Sequence, residues 1–390
     1  MLSAKALTKA ALRALVQITP KLRVVVLRGF PSYEDNLVSV YERLAVRGVR
    51  NVVWITDDVT IRPPIEVGLT TRFIKRGTWR DYFYSIFARY LFITHGHFIA
   101  DIPANQICVN LWHGIPYKVI GKMAGEPGRQ DTFLVATSDL TKDIFAHAFG
   151  VDDSRVVVTG QARTDRLFLR NPEALREKVL KGHPKARNVL LWLPTYRATQ
   201  HIGGRVDGKD FGSVFNCSTF DEVAFNCYLA RNDAVCFVKP HPMALRATSR
   251  AHSNLIFIDE NWLLEKGMTL YQLCGVANCL VSDISSVIVD FMLLDRPIVL
   301  LFEDLLEYRR SRGFSFNPIE DWLPAPVNTD FESFLVELDA VLRGEDRYSV
   351  LRNTLKQRFF KFSDNRSTDR ILDFALADLE EFPTKDLQKR

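Results

Sequence analysis

The sequence lacks any uncharged apolar run of the length, about 18 to 20 residues, that a membrane-spanning helix needs. It also lacks a C-x-x-C pair. Its six cysteines, Cys108, Cys217, Cys227, Cys236, Cys274 and Cys279, are scattered singly, most of them in apolar runs. That usage points to buried, reduced thiols in a cytosolic protein rather than to a disulfide framework or a zinc site. Neither sign of charge is in large excess: 51 Lys and Arg against 46 Asp and Glu leave +5. No nucleic-acid partner follows from that balance, and no zinc-finger spacing or RNA-binding aromatic signature accompanies it. Walker and G-x-G-x-x-G loops are absent, as are H-E-x-x-H, G-x-S-x-G and paired metal-carboxylate motifs. "THGHF" (94–98) offers two histidines at metal-like spacing, but no third ligand stands nearby, so no metal is expected. There is no long internal repeat and no low-complexity tract.

What is present is a chain of 390 residues, 47% hydrophobic, long enough to bury one core and with room for two. The first residues, "MLSAKALTKAALRALVQI", set Lys5, Lys9 and Arg13 at spacing four, with Gln17 continuing the row. This is one polar stripe on an otherwise apolar helix. Lys9 and Arg13 interrupt what would be the apolar region of a signal peptide. Two readings remain open: a basic amphipathic helix on an anionic membrane surface, or a terminal helix packed on its own domain.

From residue 22 onward, short β-rich runs alternate with helical stretches. "LRVVVLRG" (22–29), "NVVWITDD" (51–58), "YLFITHGH" (90–97), "QICVNLWHG" (106–114), "TFLVATSD" (132–139) and "SRVVVTGQ" (154–161) read as strands. After the polar stretch 171–187 the rhythm restarts with "NVLLWLPTYR" (188–197), "AVCFVKPHP" (234–242), "SNLIFIDEN" (253–261), "NCLVSDISS" (278–286) and "RPIVLLFED" (296–304). Apolar runs bounded by turn residues and separated by helices predict parallel strands covered on both faces. The expected architecture is two doubly wound, Rossmann-like α/β domains facing each other across a cleft. The expected segments are an amphipathic helix over 1–20, domains over 21–180 and 181–345, and a helical segment over 346–390.

Polar side chains stand just after these strands, where open α/β sheets bind ligands. They are His113 after "VNLW", "GQARTDRL" after "VVVT", Thr195 and Arg197 after "LLWLP", Lys239 and His241 after "VCFV", and Asp283, Ser285 and Ser286 after "CLVS". Asp283 or Ser285 is suited to cap a helix beginning there, and the free N–H groups of its first turn suit an anion such as phosphate or pyrophosphate. Ordinary capping is the competing explanation. Lys239, His241 and Arg197 add donors that favour the anion site.

Taken in order, these motifs resemble those of bacterial CDP-glycerol glycerophosphotransferases, the teichoic-acid primases and polymerases. "LWHGIPYKVIG" is similar to their W-H-G-x-P-x-K-x-x-G element. "GFPSYEDN" (29–36) resembles their first-strand loop, "TGQARTDRLF" (159–168) their G-x-x-R-x-D-x-L/F element, and "LWLPTYR" their A-P-T-W/Y-R segment, with Leu193 at the usually small position. "VKPHP", "SDISSVIVDFMLLDRPIV" and "DLLEYRRSRGF" (304–314) complete the series, with Ile284 where the family often has an aromatic residue.

The resemblance implies a GT-B fold with a CDP-alditol donor on the C-terminal domain and the acceptor along the N-terminal one. It implies transfer of glycerol phosphate, or a related alditol phosphate, to a hydroxyl of a lipid-linked saccharide, with release of CMP. His113 would be general base on that hydroxyl, since an imidazole with an ordinary pKa of about 6.5 accepts a proton at neutral pH. His241, Arg197, Lys239, Asp283, Ser285 and Ser286 would serve the donor pyrophosphate. Lys118, Arg163, Asp165 and Asp290 would position alditol or acceptor, a structural role for Asp290 being the equal alternative. No cofactor is firmly implied; CDP-glycerol enters as substrate.

The length resembles the primase type more than the long polymerases. The expected location is the cytoplasmic face of the membrane, held peripherally, and "RGTWRDYFYSIFARYLF" (76–92), with its seven aromatics, is a second candidate for membrane contact or else domain core. The rival readings are a GT-B glycosyltransferase using a nucleotide-sugar and a non-catalytic glycan- or lipid-binding protein.

Overall fold

The computed structural model describes residues 14, 16–65, 67–96, 102–126, 133–197, 206–241 and 252–377. They form two parallel sheets, one of seven strands and one of six.

The first sheet comprises β1 (Leu22–Arg28), β2 (Val52–Thr56), β3 (Thr71–Lys75), β4 (Ala88–Ile93), β5 (Ile107–Asn110), β6 (Phe133–Ala136) and β7 (Val156–Val158). Its order is β3-β2-β1-β4-β5-β6-β7, so the winding reverses between β1 and β4. Those two strands pair in register through Val25–Tyr90 to Arg28–Ile93. Strand β1 shows why the sequence forms a central strand. Val25 and Leu27 enter one buried layer, with Leu37, Val38, Tyr41 and Leu44 of the helix Asp35–Val46. Val24 and Val26 enter the opposite layer, with Leu91, Ile93 and Cys108. Each such side chain taken from water contributes about 1.5–3 kcal/mol, and β-branched residues fill a pleated surface covered on both faces.

The second sheet comprises β8 (Asn188–Leu193), β9 (Ala234–Val238), β10 (Leu255–Phe257), β11 (Cys279–Ser282), β12 (Ile298–Leu301) and β13 (Val327–Asn328). Its order, β10-β9-β8-β11-β12-β13, again reverses beside its first strand, here between β8 and β11. Trp192 anchors one layer, packed edge-on against Phe215, Phe220 and Phe225. All six cysteines are free thiols, and only Cys227 is exposed.

Eleven of the thirteen strands fall in the runs expected from the sequence. Strand β3 does not, because this edge strand, with Ile74 alone buried, lacks the continuous apolar run of its neighbours. Strand β13 is two residues long and carries no signal of its own.

The chain divides into two compact units that are not collinear with the sequence. One contains Met1–His113, Gly125–Arg166 and Phe360–Arg390; the other contains Gly114–Ala124 and Leu167–Phe359. The stretch after His113 therefore belongs to the second unit, where Val119 N–H donates to Gly313 O and Ser315 N–H to Tyr117 O. The C-terminal helical segment, expected with a break near Ser363–Asn365, is shared out at that break. Helix Ser349–Phe359 goes with the second unit and Ser367–Ala375 with the first. In the first unit Arg43 and Arg47 pair with Asp369.

Lys5, Lys9 and Arg13 lie outside the described residues. Just beyond them Val16 is buried against Ile86, and the Lys21 ammonium donates to the carbonyls of both. The aromatic run 76–92 splits in two. Tyr90 and Phe92 are strand core, whereas Trp79, Tyr82 and Phe83 on helix Trp79–Phe87 are 70%, 47% and 37% exposed. No helix among the described residues is long and apolar enough to cross a membrane.

Candidate active site

In each unit the polar residues gather at the carboxyl ends of strands at and near the reversal, where neighbouring loops diverge and leave room for a ligand.

In the first unit the chain leaves β5 through Trp112, whose φ of +51° is left-handed and uncommon for a large side chain. Two buried asparagines hold that peptide. Asn110 Oδ1 accepts from Trp112 N–H at 2.9 Å, and Asn36 Nδ2 donates to Trp112 O at 2.9 Å. The Trp112 ring is pinned against Phe149. The turn delivers His113 to the surface, exposed, with its Nδ1 3.1 Å from Thr94 O. A carbonyl only accepts, so Nδ1 carries the hydrogen, and in that neutral tautomer Nε2 is the acceptor nitrogen. The ring stacks on His95, centroids 4.2 Å apart and planes 9° from parallel.

Asn36 also accepts from Arg163 N–H at 3.0 Å and donates to Glu34 Oε2 at 3.1 Å, tying three loops together. Glu34 caps the helix Asp35–Val46 with both oxygens. Burial pushes its carboxyl up to about 7, against the pull of Asn36 N–H and Arg163. Arg163 is buried. Asp165 accepts from the backbone N–H groups of Ser367 and Thr368 at 2.9 and 2.8 Å, so its carboxylate is engaged in capping the helix Ser367–Ala375.

In the second unit the β8 and β11 ends are locked by ion pairs. Arg197 gives Nε and Nη2 to the two oxygens of Asp304, both at 2.8 Å, and Nη1 to Asp283 at 2.9 Å. Asp283 also accepts from Thr195 N–H at 3.0 Å and from the Thr195 hydroxyl. All three charged side chains are buried. Burial works against the Asp283 carboxylate, but Arg197, Thr195 and Lys118 outweigh it and hold its pKa below the ordinary value. Burial likewise opposes the Arg197 charge, and Asp283 and Asp304 raise its pKa nonetheless. The guanidinium fork expected to face a ligand is thus engaged inside the protein. Asp283, expected as a possible cap, is engaged there too, and helix Val287–Phe291 starts at Ser286 with no side-chain cap. Ser285 and Ser286 are partly exposed at that start.

Above this closed network lie Lys118, Lys239 and His241. The Lys118 ammonium sits 5.7 Å from the ring centroids of both Tyr196 and Tyr308. Burial, helped by Arg197 and Arg312, pushes it down to about 8, against Asp283 and Asp207. His241 packs on Tyr196 at 4.8 Å. Burial first, then Lys118 and Lys239, push it down to about 3, so it is a neutral imidazole offering an N–H rather than a charge. Lys239 pairs with Glu260 at 2.6 Å. Asp290 is fully buried and accepts from Tyr271 OH at 2.5 Å, which makes it part of the core. Among the described residues no cluster of three metal-ligating side chains occurs, and His97 lies outside them.

Two Rossmann-type parallel sheets in one chain, each with its polar residues at the switch point, define a GT-B-type fold. The wall teichoic acid polymerase TagF has it too: the structures superpose with a TM-score of 0.75 at 21% identity, covering 96% of this chain and 94% of that one. The profile of the CDP-glycerol:poly(glycerophosphate) glycerophosphotransferase family matches residues 11–377, and the chain belongs to that family. The teichoic acid ribitol-phosphate polymerase TarK of Staphylococcus aureus is 27% identical over 369 residues, 88% of this chain and 66% of its own length. A teichoic acid ribitol-phosphate primase of Bacillus spizizenii is 22% identical over 69% of each chain. The chain spans between half and two thirds of the length of the first two curated relatives it matches, 51% and 66%.

Proposed function

We propose that the protein transfers glycerol phosphate, or a related alditol phosphate, from a CDP-alditol to a hydroxyl of a membrane-linked saccharide, releasing CMP. A single addition, as by a primase, is the form we favour. The observation that carries the reading is His113: exposed after β5, with Nδ1 bonded to Thr94 O, so that Nε2 is the acceptor nitrogen of the neutral ring. The acceptor hydroxyl gives its proton to Nε2 as its oxygen bonds to the β-phosphorus. The bond from that phosphorus to the bridging oxygen breaks, and CMP leaves with the electron pair. Charge grows on the bridging and α-phosphate oxygens, where Lys118, Lys239, the His241 N–H and the turn at Ser285 and Ser286 provide donors.

Calorimetry with CDP-glycerol tests the donor half of this reading. Lys118 carries its charge below about 8 and loses it above. A pyrophosphate favours the charged ammonium, so binding takes up a proton near pH 8 and affinity falls as pH rises through that value. A UDP-sugar binding as tightly as CDP-glycerol, or a CDP-glycerol affinity flat from pH 7 to 9, would contradict it.

The same reading places the protein peripherally on the cytoplasmic face of an anionic membrane. Trp79, Tyr82 and Phe83 are exposed beside Arg80, a composition suited to a headgroup region. Changing the three aromatics together to serine is expected to reduce co-flotation with anionic vesicles. Undiminished flotation would remove this helix as the contact and leave Lys5, Lys9 and Arg13.

A further inference from the structure

We propose that Phe30 is the platform on which a sugar ring of the acceptor stacks beside His113. The inference deepens the transfer reading above and rests on it. Phe30 stands two residues beyond β1, at the reversal of the first sheet, and is 49% exposed. A single apolar side chain at a surface needs no explanation. Phe30 differs in where it stands and in how its backbone is held. Its ring meets His95 edge-on, with centroids 5.9 Å apart and planes at 89°. The His95 ring in turn lies against that of His113, at 4.2 Å and 9°. Three rings therefore run in a row from the proposed general base to Phe30, carried on the ends of β5, β4 and β1. An edge-on contact covers at most one face of the phenyl ring.

The loop that carries Phe30 is braced on two sides. Phe30 N–H donates to Thr94 Oγ1 at 3.3 Å. Arg76 donates from Nη2 to Gly29 O at 2.5 Å and from Nε to Asp57 at 2.7 Å, and the Ser32 hydroxyl donates to Asp57 at 2.8 Å. At Gly29 a Cβ would fall 2.7 Å from both Leu37 Cδ1 and Thr94 Oγ1, so the loop lies close against the helix Asp35–Val46 and the end of β4. A contact held in place before the ligand arrives loses little affinity to ordering.

A pyranose carries C–H groups on its faces and hydroxyls round its edge. Those C–H groups bear partial positive charge and suit the negative face of a phenyl ring. Phe30 is one ring removed from His113, so the sugar it holds is the one bearing the attacked hydroxyl or its neighbour in the glycan. The side chains that brace the loop, Ser32, Asp57 and Arg76, are polar, which suits hydroxyls and not an acyl chain.

The test is steady-state CMP release at saturating CDP-glycerol with the acceptor concentration varied. It is run with a short-tailed lipid-linked disaccharide and again with the same disaccharide carrying a methyl group in place of the lipid. Phe30→Ala is expected to raise the acceptor KM about 10-fold with either acceptor, leaving kcat within about twofold and the donor KM unchanged. Tenfold is about 1.4 kcal/mol, the size of one aromatic stacking contact. Phe30→Trp, which keeps a flat face, is expected to retain the wild-type acceptor KM. Phe30→Leu, which keeps apolar bulk without a ring, is expected to match the alanine variant. Each variant keeps the backbone N–H that bonds Thr94, and circular dichroism with thermal melting checks that it is folded. Should Phe30→Ala not fold, the leucine and tryptophan variants carry the comparison.

The proposal is overturned if Phe30→Leu binds acceptor as wild type does, or if KM rises only with the lipid-tailed acceptor, which would assign Phe30 to the lipid. It is also overturned if the loss falls on kcat with the acceptor KM unchanged, which would make Phe30 a support for His95. Wild-type protein that releases no CMP in response to either acceptor is a separate result: it removes the transfer reading itself, and this inference with it.

Discussion

His113→Ala is expected to slow turnover about 10²- to 10⁴-fold while leaving CDP-alditol affinity unchanged. The size follows from the chemistry. A hydroxyl attacks phosphorus poorly while it keeps its proton, and His113 is an exposed imidazole whose bond from Nδ1 to Thr94 O makes Nε2 the acceptor nitrogen. The selectivity follows from the division of labour, in which the proposed donor groups all belong to the second unit and His113 to the first. CMP release at the wild-type rate with acceptor present would reject the role. A fall in donor affinity matching the fall in rate would instead mean that His113 acts through the donor.

The second large effect is on stability. Arg197→Ala removes the guanidinium that bridges Asp283 and Asp304, all three side chains being 3% exposed or less. Breaking a buried pair leaves an uncompensated charge and costs about 3–5 kcal/mol. Urea unfolding should register that loss in the second unit. Adding Asp304→Asn should recover part of it, since one of the two stranded carboxylates is then neutral. A cost below about 1 kcal/mol, the range of solvated surface pairs, would show the network to be wet and weak. The prediction bears on function because Asp283 and Arg197 also set the local field on Lys118.

The sequence displays the strand ends well and their internal partnerships poorly. His113, Lys239, His241, Ser285 and Ser286 are legible because each ends an apolar run, and such runs in this alternation make parallel strands whose ends bind ligands. Arg197 and Asp283 are legible as strand-end residues too. Their pairing with each other and with Asp304 is not, because it joins the ends of three strands more than twenty residues apart. Asp165 and Asp290 stand in suggestive motifs, yet one caps a helix 200 residues later and the other bonds Tyr271 in the core.

Asn36 and Thr94 escape sequence reading for the same reason: Asn36 donates to Trp112 O and the Thr94 hydroxyl accepts from Phe30 N–H, backbone groups that only the folded sheet brings near. The usable signal for His95 was its place after β4, read from the sequence only as half of a metal spacing. The assignment of Gly114–Ala124 to the second unit is equally invisible, since it depends on backbone bonds to residues 313–315.

The central claim is transfer of an alditol phosphate from a CDP donor, and acceptor-dependent nucleotide release tests it most directly. Purified protein is incubated with CDP-glycerol, CDP-ribitol or a UDP-sugar, with and without the lipid-linked disaccharide. The account predicts CMP release from one or both CDP-alditols, dependent on acceptor and abolished by His113→Ala, with the sugar donor inert. UDP release from the nucleotide-sugar, with neither CDP-alditol turned over, would contradict it.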